Sequence, residues 1–195
     1  MYRNTRVGTK KDGIFAVMVR IETPYQGLCV FKPVVHEDQR GYFMESFRVD
    51  FFAELGCHFS QDNEASSSYG VIRGLHYQEP PYAQTKLLRV LEGCILDVVV
   101  DLRSGSKTFS KAYAVELSAE NKKQLLVPKG FAHGYAVLSE TATVLYKVDA
   151  YYNAAADRGI FYDDFEVDWQ IPTSERILSE KDLKQPGLNE IKSPF

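Results

Sequence analysis

Short runs of apolar residues, many of them alternating with polar residues, fill the chain from Gly27 onward. Alternation with a period of two is typical of a strand with one buried face. The runs at 87–91 and 95–102 flank Glu92-Gly93, a pair typical of a hairpin turn. Further strands are predicted at 27–35 (interrupted by Pro33), 42–47, 111–117, 123–127, 135–138 and 141–148. Many short strands at this spacing predict an all-β sandwich or barrel.

Helical periodicity is confined to short segments. Residues 50–55 are predicted to form a helix because Phe51 and Leu55 lie four positions apart and Gly56 stands where a glycine can end it. The polar tail at 174–185 predicts one or two short helical turns. The middle of the chain shows no long amphipathic helix, which again favours an all-β fold.

The composition is that of an ordinary globular domain. Of 195 residues, 45% are hydrophobic and 25% are charged, and the net charge of −3 argues against a nucleic-acid binder. Every apolar run is only a few residues long, which is too short to cross a membrane. Cys29, Cys57 and Cys94 show neither CxxC nor metal-site spacing, so we expect free thiols in a reducing compartment.

The first 17 residues differ from the rest of the chain. They are polar and basic, they show no period, and they lack the apolar core and cleavage site of a signal peptide. We therefore expect a flexible N-terminal extension at 1–17, a single domain at 18–195, and a cytoplasmic location.

Two histidines stand in segments that resemble the cupin barrel family. In Val127-Pro-Lys-Gly-Phe-Ala-His-Gly, a strand end and a Pro-x-Gly turn precede His133, as in the second cupin motif. Metal-binding cupins pair this histidine with a His-x-His motif and a glutamate. Here the matching stretch has His76, then Gln78, and is followed by Lys86. A glutamine is a poor ligand for transition metals and an ammonium group repels a cation, so no metal is expected.

A closer resemblance covers the chain from about 27 to 186, in order and without a large gap. The motifs resemble those of the dTDP-4-dehydrorhamnose 3,5-epimerase family. They include Gln61-Asp-Asn, Arg73-Gly-Leu-His-Tyr-Gln, Ala83-Gln-Thr-Lys-Leu, Asp97-Val-Val-Val-Asp-Leu-Arg, Gln124-Leu-Leu-Val-Pro-Lys-Gly-Phe-Ala-His-Gly and Leu178-Ser-Glu-Lys-Asp. The resemblance implies a cupin-type antiparallel β-barrel, or jelly roll, with a few short helices.

The activity that the resemblance implies is epimerisation at C3 and C5 of a dTDP-linked 4-keto-6-deoxy-hexose. Both protons are weakly acidic because they lie α to the ketone. Inversion needs acid–base groups on opposite faces of the sugar and a donor for the enolate oxygen. Only protons move, so no cofactor is expected.

The resemblance assigns four catalytic roles. His76 resembles the general base, and an imidazole has a pKa suited to that role near neutral pH. Asp182 resembles the carboxylate that orients His76. Tyr146 resembles the acid on the opposite face, and Lys86 the group that stabilises the enolate oxygen.

Each of these residues also has a purely structural interpretation. His76 can be a buried, hydrogen-bonded histidine beside a turn, and Asp182 can cap a helix within Ser179-x-x-Asp182. Tyr146 shares a strand face with apolar residues and can be core packing. Lys86 falls on the same strand parity as apolar residues, where a lysine is costly to bury unless it is paired, functional or extended outward to solvent.

The resemblance also implies a substrate-binding set and a homodimer. Its members are Arg40, Phe43, Glu45, Gln61, Asn63, Arg73, His133, Tyr151, Asp157 and Lys181. Guanidinium groups suit a pyrophosphate, and Phe43 and Tyr151 are candidates for stacking on the base. Surface salt bridges remain the alternative for the arginines. The segment 40–47 is expected to lie near the neighbouring subunit's site.

Three other functions remain open from the sequence. A close relative could invert only C3 or only C5 with the same base and acid. A non-catalytic sugar-nucleotide-binding cupin would be expected to lack His76, Asp182 and Tyr146, which this chain has. A metal-dependent cupin oxygenase would need ligands that are missing here.

Overall fold

The computed structural model describes residues 4–7 and 18–195, and within these ranges most of the regular secondary structure is β-strand. The strands are β1 (Asn4–Val7), β2 (Met18–Glu22), β3 (Cys29–Pro33), β4 (His36–Asp38), β5 (Gly41–Phe43), β6 (Gln61–Ser68), β7 (Ile72–Gln78), β8 (Lys86–Glu92), β9 (Cys94–Asp101), β10 (Ala112–Ser118), β11 (Gln124–Val127), β12 (Phe131–Val137), β13 (Thr141–Val148) and β14 (Asp157–Gly159). The helices are α1 (Val49–Ala53) and α2 (Glu180–Leu183), with 3₁₀ turns at Thr173–Glu175 and Leu188–Glu190.

Two antiparallel sheets form the body of the domain. The seven-stranded sheet has the order β1-β2-β3-β11-β8-β13-β6, and the five-stranded sheet has the order β10-β9-β12-β7-β14. A separate hairpin joins β4 and β5. The predicted all-β, cupin-type antiparallel barrel with a few short helices is therefore confirmed.

The space between the sheets holds the main core. Leu88, Leu125 and Val144 of the larger sheet pack in one cluster with Val99 and Val137 of the smaller sheet. All five are fully buried, so the two inner faces exclude water along most of their length. This core fixes the distance and angle at which the sheets face each other.

Both outer faces are covered as well. Phe51 and Phe52 of α1 pack on Phe31 and Leu87, outside the larger sheet. The C-terminal segment, including the fully buried Trp169, covers the smaller sheet. Burial on both faces explains why β9 is mostly apolar rather than alternating. Among the described residues, no helix has the length and apolar character needed to cross a bilayer.

Two strands that carry the site were not predicted from the pattern. β6 has the sequence QDNEASSS, which lacks large apolar residues although its burial alternates along the strand. β7 contains a glycine and an arginine, and its sequence predicts only a segment beside a turn. The strand predicted at 42–47 is limited to β5. From the expected extension at 1–17, β1 pairs with β2, and the remaining residues lie outside the described ranges.

A close approach of two backbones sets the position of His76. A Cβ on Gly134 would lie 2.3 Å from the carbonyl oxygen of Arg73, and one on Gly74 would lie 2.7 Å from the Cα of Gly134. Only glycines allow β7 and β12 to pack this tightly, and Gly74 also has a φ of +110°. The register next to this contact places His76 directly opposite His133.

Candidate active site

A cavity of about 480 Å³ opens between the two sheets. Its walls come from β7 and β12 of the smaller sheet, from β8 and β13 of the larger sheet, and from the segment that leads into α2. A second pocket of about 350 Å³ shares His76, Lys86, Tyr146 and Lys181 with the first. The two pockets therefore form one elongated site, large enough for a ligand with two parts.

His76 and Asp182 form a hydrogen-bonded pair in this cavity. The Nε2 of His76 lies 2.6 Å from Oδ1 of Asp182, although the residues are 106 positions apart. The Asp182 side chain is 5% exposed and that of His76 is 31% exposed, so the imidazole faces the cavity while the carboxylate lies behind it. Because a carboxylate accepts the Nε2–H, the Nδ1 nitrogen is left for a ligand.

The local structure of α2 explains how Asp182 reaches His76. Ser179 is the N-cap residue, and its hydroxyl accepts a hydrogen bond from the Asp182 backbone nitrogen at 3.1 Å. The cap and the pair are therefore compatible, because the backbone of Asp182 serves the cap while its carboxylate serves His76. Burial acts to raise the pKa of Asp182, but hydrogen bonds from His76, Ser179 and the Gly74 backbone hold it below its ordinary value. Asp182 stays ionised at neutral pH.

Tyr146 and Lys86 face the same cavity from the opposite sheet. Ala142, Val144 and Val148 are buried on the face of β13 that carries Tyr146, as the period-two pattern predicted. Burial raises the pKa of the Tyr146 phenol, although the positive charge of Arg73 opposes it. The phenol is therefore protonated at neutral pH and can donate a proton.

Lys86 points inward and does not extend to bulk solvent. Its Nζ contacts the backbone carbonyl of His76 at 3.5 Å, the one hydrogen bond of this ammonium group among the described residues. Burial lowers the pKa of Lys86 to about 8, although Asp97 and Asp157 act in the opposite direction. The ammonium group is thus charged at neutral pH and has donors free for a ligand.

A second histidine–aspartate pair lies beside the first. The Nε2 of His133 lies 3.0 Å from a carboxylate oxygen of Asp97, and both residues are buried. Burial lowers the pKa of His133 even though Asp97 opposes it, so the ring is neutral at pH 7. With the Nε2–H donated to Asp97, Nδ1 of His133 can only accept a hydrogen bond.

Five other residues from the predicted binding set also line the site. Arg73 and Lys181 line the main cavity, and Gln61, Asn63 and Asp157 line the adjoining pocket. The Nε2 of Gln61 donates to Oδ1 of Asn63 at 2.7 Å. The Nζ of Lys181 lies 2.5 Å from Oδ2 of Asp157, so this ion pair connects α2 to β14.

Four predicted binding residues do not line the cavity of their own chain. Arg40 and Phe43 lie on the exposed β4–β5 hairpin, where the Arg40 side chain is 84% exposed and pairs with Asp38. Glu45 lies 3.9 Å from Arg48 on the same exposed region. Tyr151 is 69% exposed in the loop after β13.

Sequence reasoning missed two residues of the site. Asp97, the partner of His133, lies among the apolar residues of β9, and an acid in the middle of such a strand was the available signal. Tyr152, rather than Tyr151, lines the adjoining pocket and donates to Oδ2 of Asp157 at 3.1 Å. In a pair of adjacent tyrosines, only the backbone direction decides which one faces the site.

The family model of dTDP-4-dehydrorhamnose 3,5-epimerase matches residues 22–190. The chain belongs to this family. A dTDP-4-dehydrorhamnose 3,5-epimerase of Shigella flexneri is 46% identical over 166 residues, which are 84% of this chain and 92% of that protein. The family-model match contains every residue that we place in the site.

Solved structures of epimerases of this family share the fold. The enzyme of Elizabethkingia anophelis superposes with a TM-score of 0.85 at 49% identity, over 89% of this chain and 98% of that chain. A dTDP-6-deoxy-D-glucose-3,5-epimerase of Legionella pneumophila, solved in complex with dTDP-4-keto-L-rhamnose, superposes with a TM-score of 0.85 at 42% identity. That match covers 90% of this chain and 95% of that chain.

Proposed function

We propose that this chain inverts C3 and C5 of dTDP-4-dehydro-6-deoxy-D-glucose and yields dTDP-4-dehydro-L-rhamnose. One observation carries the proposal. His76 on one sheet, paired with Asp182 of α2, and Tyr146 with Lys86 on the other sheet line a single cavity. Epimerisation needs such a base and such an acid on opposite sides of a sugar ring.

The reaction proceeds through an enolate. Nδ1 of His76 removes the proton from the α-carbon. The electron pair of that C–H bond forms a double bond to C4, and the π pair of the C4 carbonyl moves onto its oxygen to give the enolate. Asp182 stabilises the imidazolium that forms. The Lys86 ammonium group donates to the enolate oxygen, a contact that strengthens as negative charge grows there.

Tyr146 completes the inversion. Its hydroxyl donates a proton to the carbon from the face opposite His76, and the enolate collapses back to the ketone with the configuration reversed. The same sequence at the other α-carbon gives the second inversion. Each step moves protons only, so the reaction needs no redox cofactor.

The remaining residues bind the nucleotide and the sugar. Arg73 and Lys181 supply positive charge for the pyrophosphate. His133, Gln61, Asn63 and Asp157 supply hydrogen-bonding groups along the elongated site. Tyr151 lies next to this site and offers an exposed ring for the base. We place the enzyme in the cytoplasm.

Arg40, Phe43 and Glu45 act in the partner's site of a homodimer. They lie on an exposed hairpin and the segment after it, outside the cavity of their own chain. Exposed large apolar side chains such as Tyr42 and Phe43, which are 55% and 68% exposed, are typical of a surface that another chain covers.

The test of the activity is incubation with dTDP-4-dehydro-6-deoxy-D-glucose in heavy water, followed by NMR of the sugar. Deuterium at both C3 and C5, together with the L-rhamno configuration, is the expected result. Deuterium and inversion at one carbon alone would identify a single-position epimerase. Binding without any exchange would identify a non-catalytic sugar-nucleotide protein.

Turnover is expected to decline above about pH 8 because Lys86 loses its charge there. Below that pH the ammonium group is present and donates to the enolate oxygen. Lys86→Met should lower kcat by about 10²–10³-fold, as for the loss of one oxyanion donor. A pH–rate profile of the wild type and of Lys86→Arg checks the assignment. The arginine variant should lose the alkaline decline, since a guanidinium stays charged.

Mixing two inactive variants tests the exchange of residues between subunits. Arg40→Ala and His76→Ala are each expected to be poorly active as homodimers. If Arg40 acts in the partner's site, a mixed dimer regains one complete site, and random mixing restores about a quarter of wild-type activity. No recovery in mixed dimers, shown to form by a tag pull-down, would place Arg40 in its own subunit's site or outside both sites.

A further inference from the structure

Gln78 joins two loops at the edge of the site through one buried amide. It is 5% exposed, and it stands where a metal-binding cupin would have its second histidine. Its Nε2 donates to the carbonyl of Tyr82 at 2.8 Å and to that of Tyr151 at 3.4 Å. Its Oε1 accepts from the backbone nitrogen of Asn153 at 2.6 Å. Both donors and one acceptor position of the amide are thus used by backbone groups.

The loop that Gln78 holds, residues 149–156 between β13 and β14, has little apolar anchoring. Tyr151 and Tyr152 are 69% and 61% exposed, and within this loop only Ala156 is buried. Hydrogen bonds from outside the loop replace that anchoring. The backbone nitrogen of Thr85 donates to Asp149 at 2.7 Å, and Nε2 of Gln84 donates to the carbonyl of Ala150 at 2.6 Å.

The loop also leads into the charged end of the site. Gln78 is the register partner of Asp157, the first residue of β14. Asp157 accepts from Tyr152 of the loop and pairs with Lys181 of α2. A displacement of the loop would therefore move the exposed tyrosines and disturb the Asp157–Lys181 pair together.

We propose that Gln78 is a positioning residue for the nucleotide end of the substrate, acting by holding the 149–156 loop in place. The inference rests on the proposed function, which assigns Tyr151, Asp157 and Lys181 to the nucleotide. Gln78 lies two residues from His76 on β7, so a single strand fixes the catalytic imidazole of His76 relative to the loop. Loss of its amide should therefore weaken binding of the nucleotide without moving the groups that transfer protons.

Gln78→Glu is the sharpest variant, because it keeps the shape and the acceptor but removes both N–H donors. A carboxylate would then face the carbonyls of Tyr82 and Tyr151, and the loop should detach. The expected result is an increase of about tenfold in the Kd for dTDP, by calorimetry, and in KM, with kcat changed less than about twofold. Hydrogen exchange should accelerate in the 149–156 peptide.

Two further variants keep the test falsifiable. Gln84→Met removes a donor to the same loop from a less buried position, without adding charge to the adjoining pocket that Gln84 lines, and should raise the Kd for dTDP in the same direction if Gln78→Glu fails to fold. Asn121→Asp is the matched control. Asn121 lies in the turn after β10, and its amide also bridges backbone groups, those of Glu116, Ser118 and Lys123. It lies outside the site and should leave the Kd for dTDP unchanged.

The outcomes separate this inference from the proposed activity. A faster-exchanging loop with an unchanged Kd for dTDP, or a loss of kcat at constant KM, would overturn the positioning role. A wild-type chain that binds dTDP but exchanges no sugar protons would overturn the proposed activity alone, while the ratio of dTDP affinities still decides the role of Gln78. A wild-type chain that binds no dTDP would contradict both.

Discussion

Replacing His76 by alanine is expected to abolish the exchange of both the C3 and the C5 protons with solvent. His76 is the one group of the proposed mechanism that removes a proton from carbon, and Asp182 holds its ring at 2.6 Å in the cavity. Loss of a general base lowers the rate by about 10²–10⁴-fold. Because one base serves both carbons, we expect the loss in this variant to lie at the upper end of that range. Deuterium incorporation followed by NMR measures the effect at each carbon.

The matched control for this variant is His58→Ala. His58 is exposed just after α1 and lies outside the lining of both pockets, so its removal should leave exchange at the wild-type rate. Calorimetry with dTDP checks that each variant remains folded and binds the nucleotide. If His76→Ala exchanged either proton as fast as the wild type, another residue would be the base for that carbon.

Tyr146→Phe is expected to separate exchange from inversion. The phenylalanine keeps the ring in β13 but removes the O–H donor, whose high pKa keeps it protonated at neutral pH. His76 can still remove a proton and return deuterium to the same face, so exchange continues in part. Inversion, chiefly at C5, should fall by at least about 10²-fold because reprotonation of the opposite face has lost its acid.

Product stereochemistry measured beside deuterium content decides this prediction. The control is Tyr162→Phe, which removes a hydroxyl from a buried tyrosine packed against Trp169 on the outer side of the smaller sheet. Tyr162→Phe should alter neither the product stereochemistry nor the deuterium content. Equal losses of exchange and inversion in Tyr146→Phe would show that Tyr146 acts before the enolate forms, and normal inversion would remove it from the mechanism.

Much of the fold was accessible from the sequence because burial leaves a local pattern. The alternation along β13 and the hairpin between β8 and β9 follow from period two and from Glu92-Gly93. Lys86 was expected on an inward strand face, and the structure places it there. The polar strand β6 was missed, because half of its positions face solvent and the inward ones are small or polar.

The sequence motifs indicated which residue types belong to the site, but not how these residues are arranged in space. The strings around His76 and Asp182 were among those that carried the resemblance, and the structure brings these side chains into one cavity with Tyr146. Asp97 was missed because its partner, His133, lies on the neighbouring strand β12, and the sequence does not indicate which strands pair. Tyr152 was missed because the loop backbone decides which of two adjacent tyrosines faces the site.

The sequence by itself determined the strand-rich pattern, the family, and the chemical types of the groups available for acid–base work. Only the tertiary structure decided that Asp182 meets His76 across 106 positions, that Tyr146 and Lys86 face them from the other sheet, and that Gln78 holds the loop after β13. The physical reason is that local periodicity records which face of a segment is buried, whereas long-range contacts depend on the order in which strands pair and on backbone approaches such as that of Gly74 and Gly134.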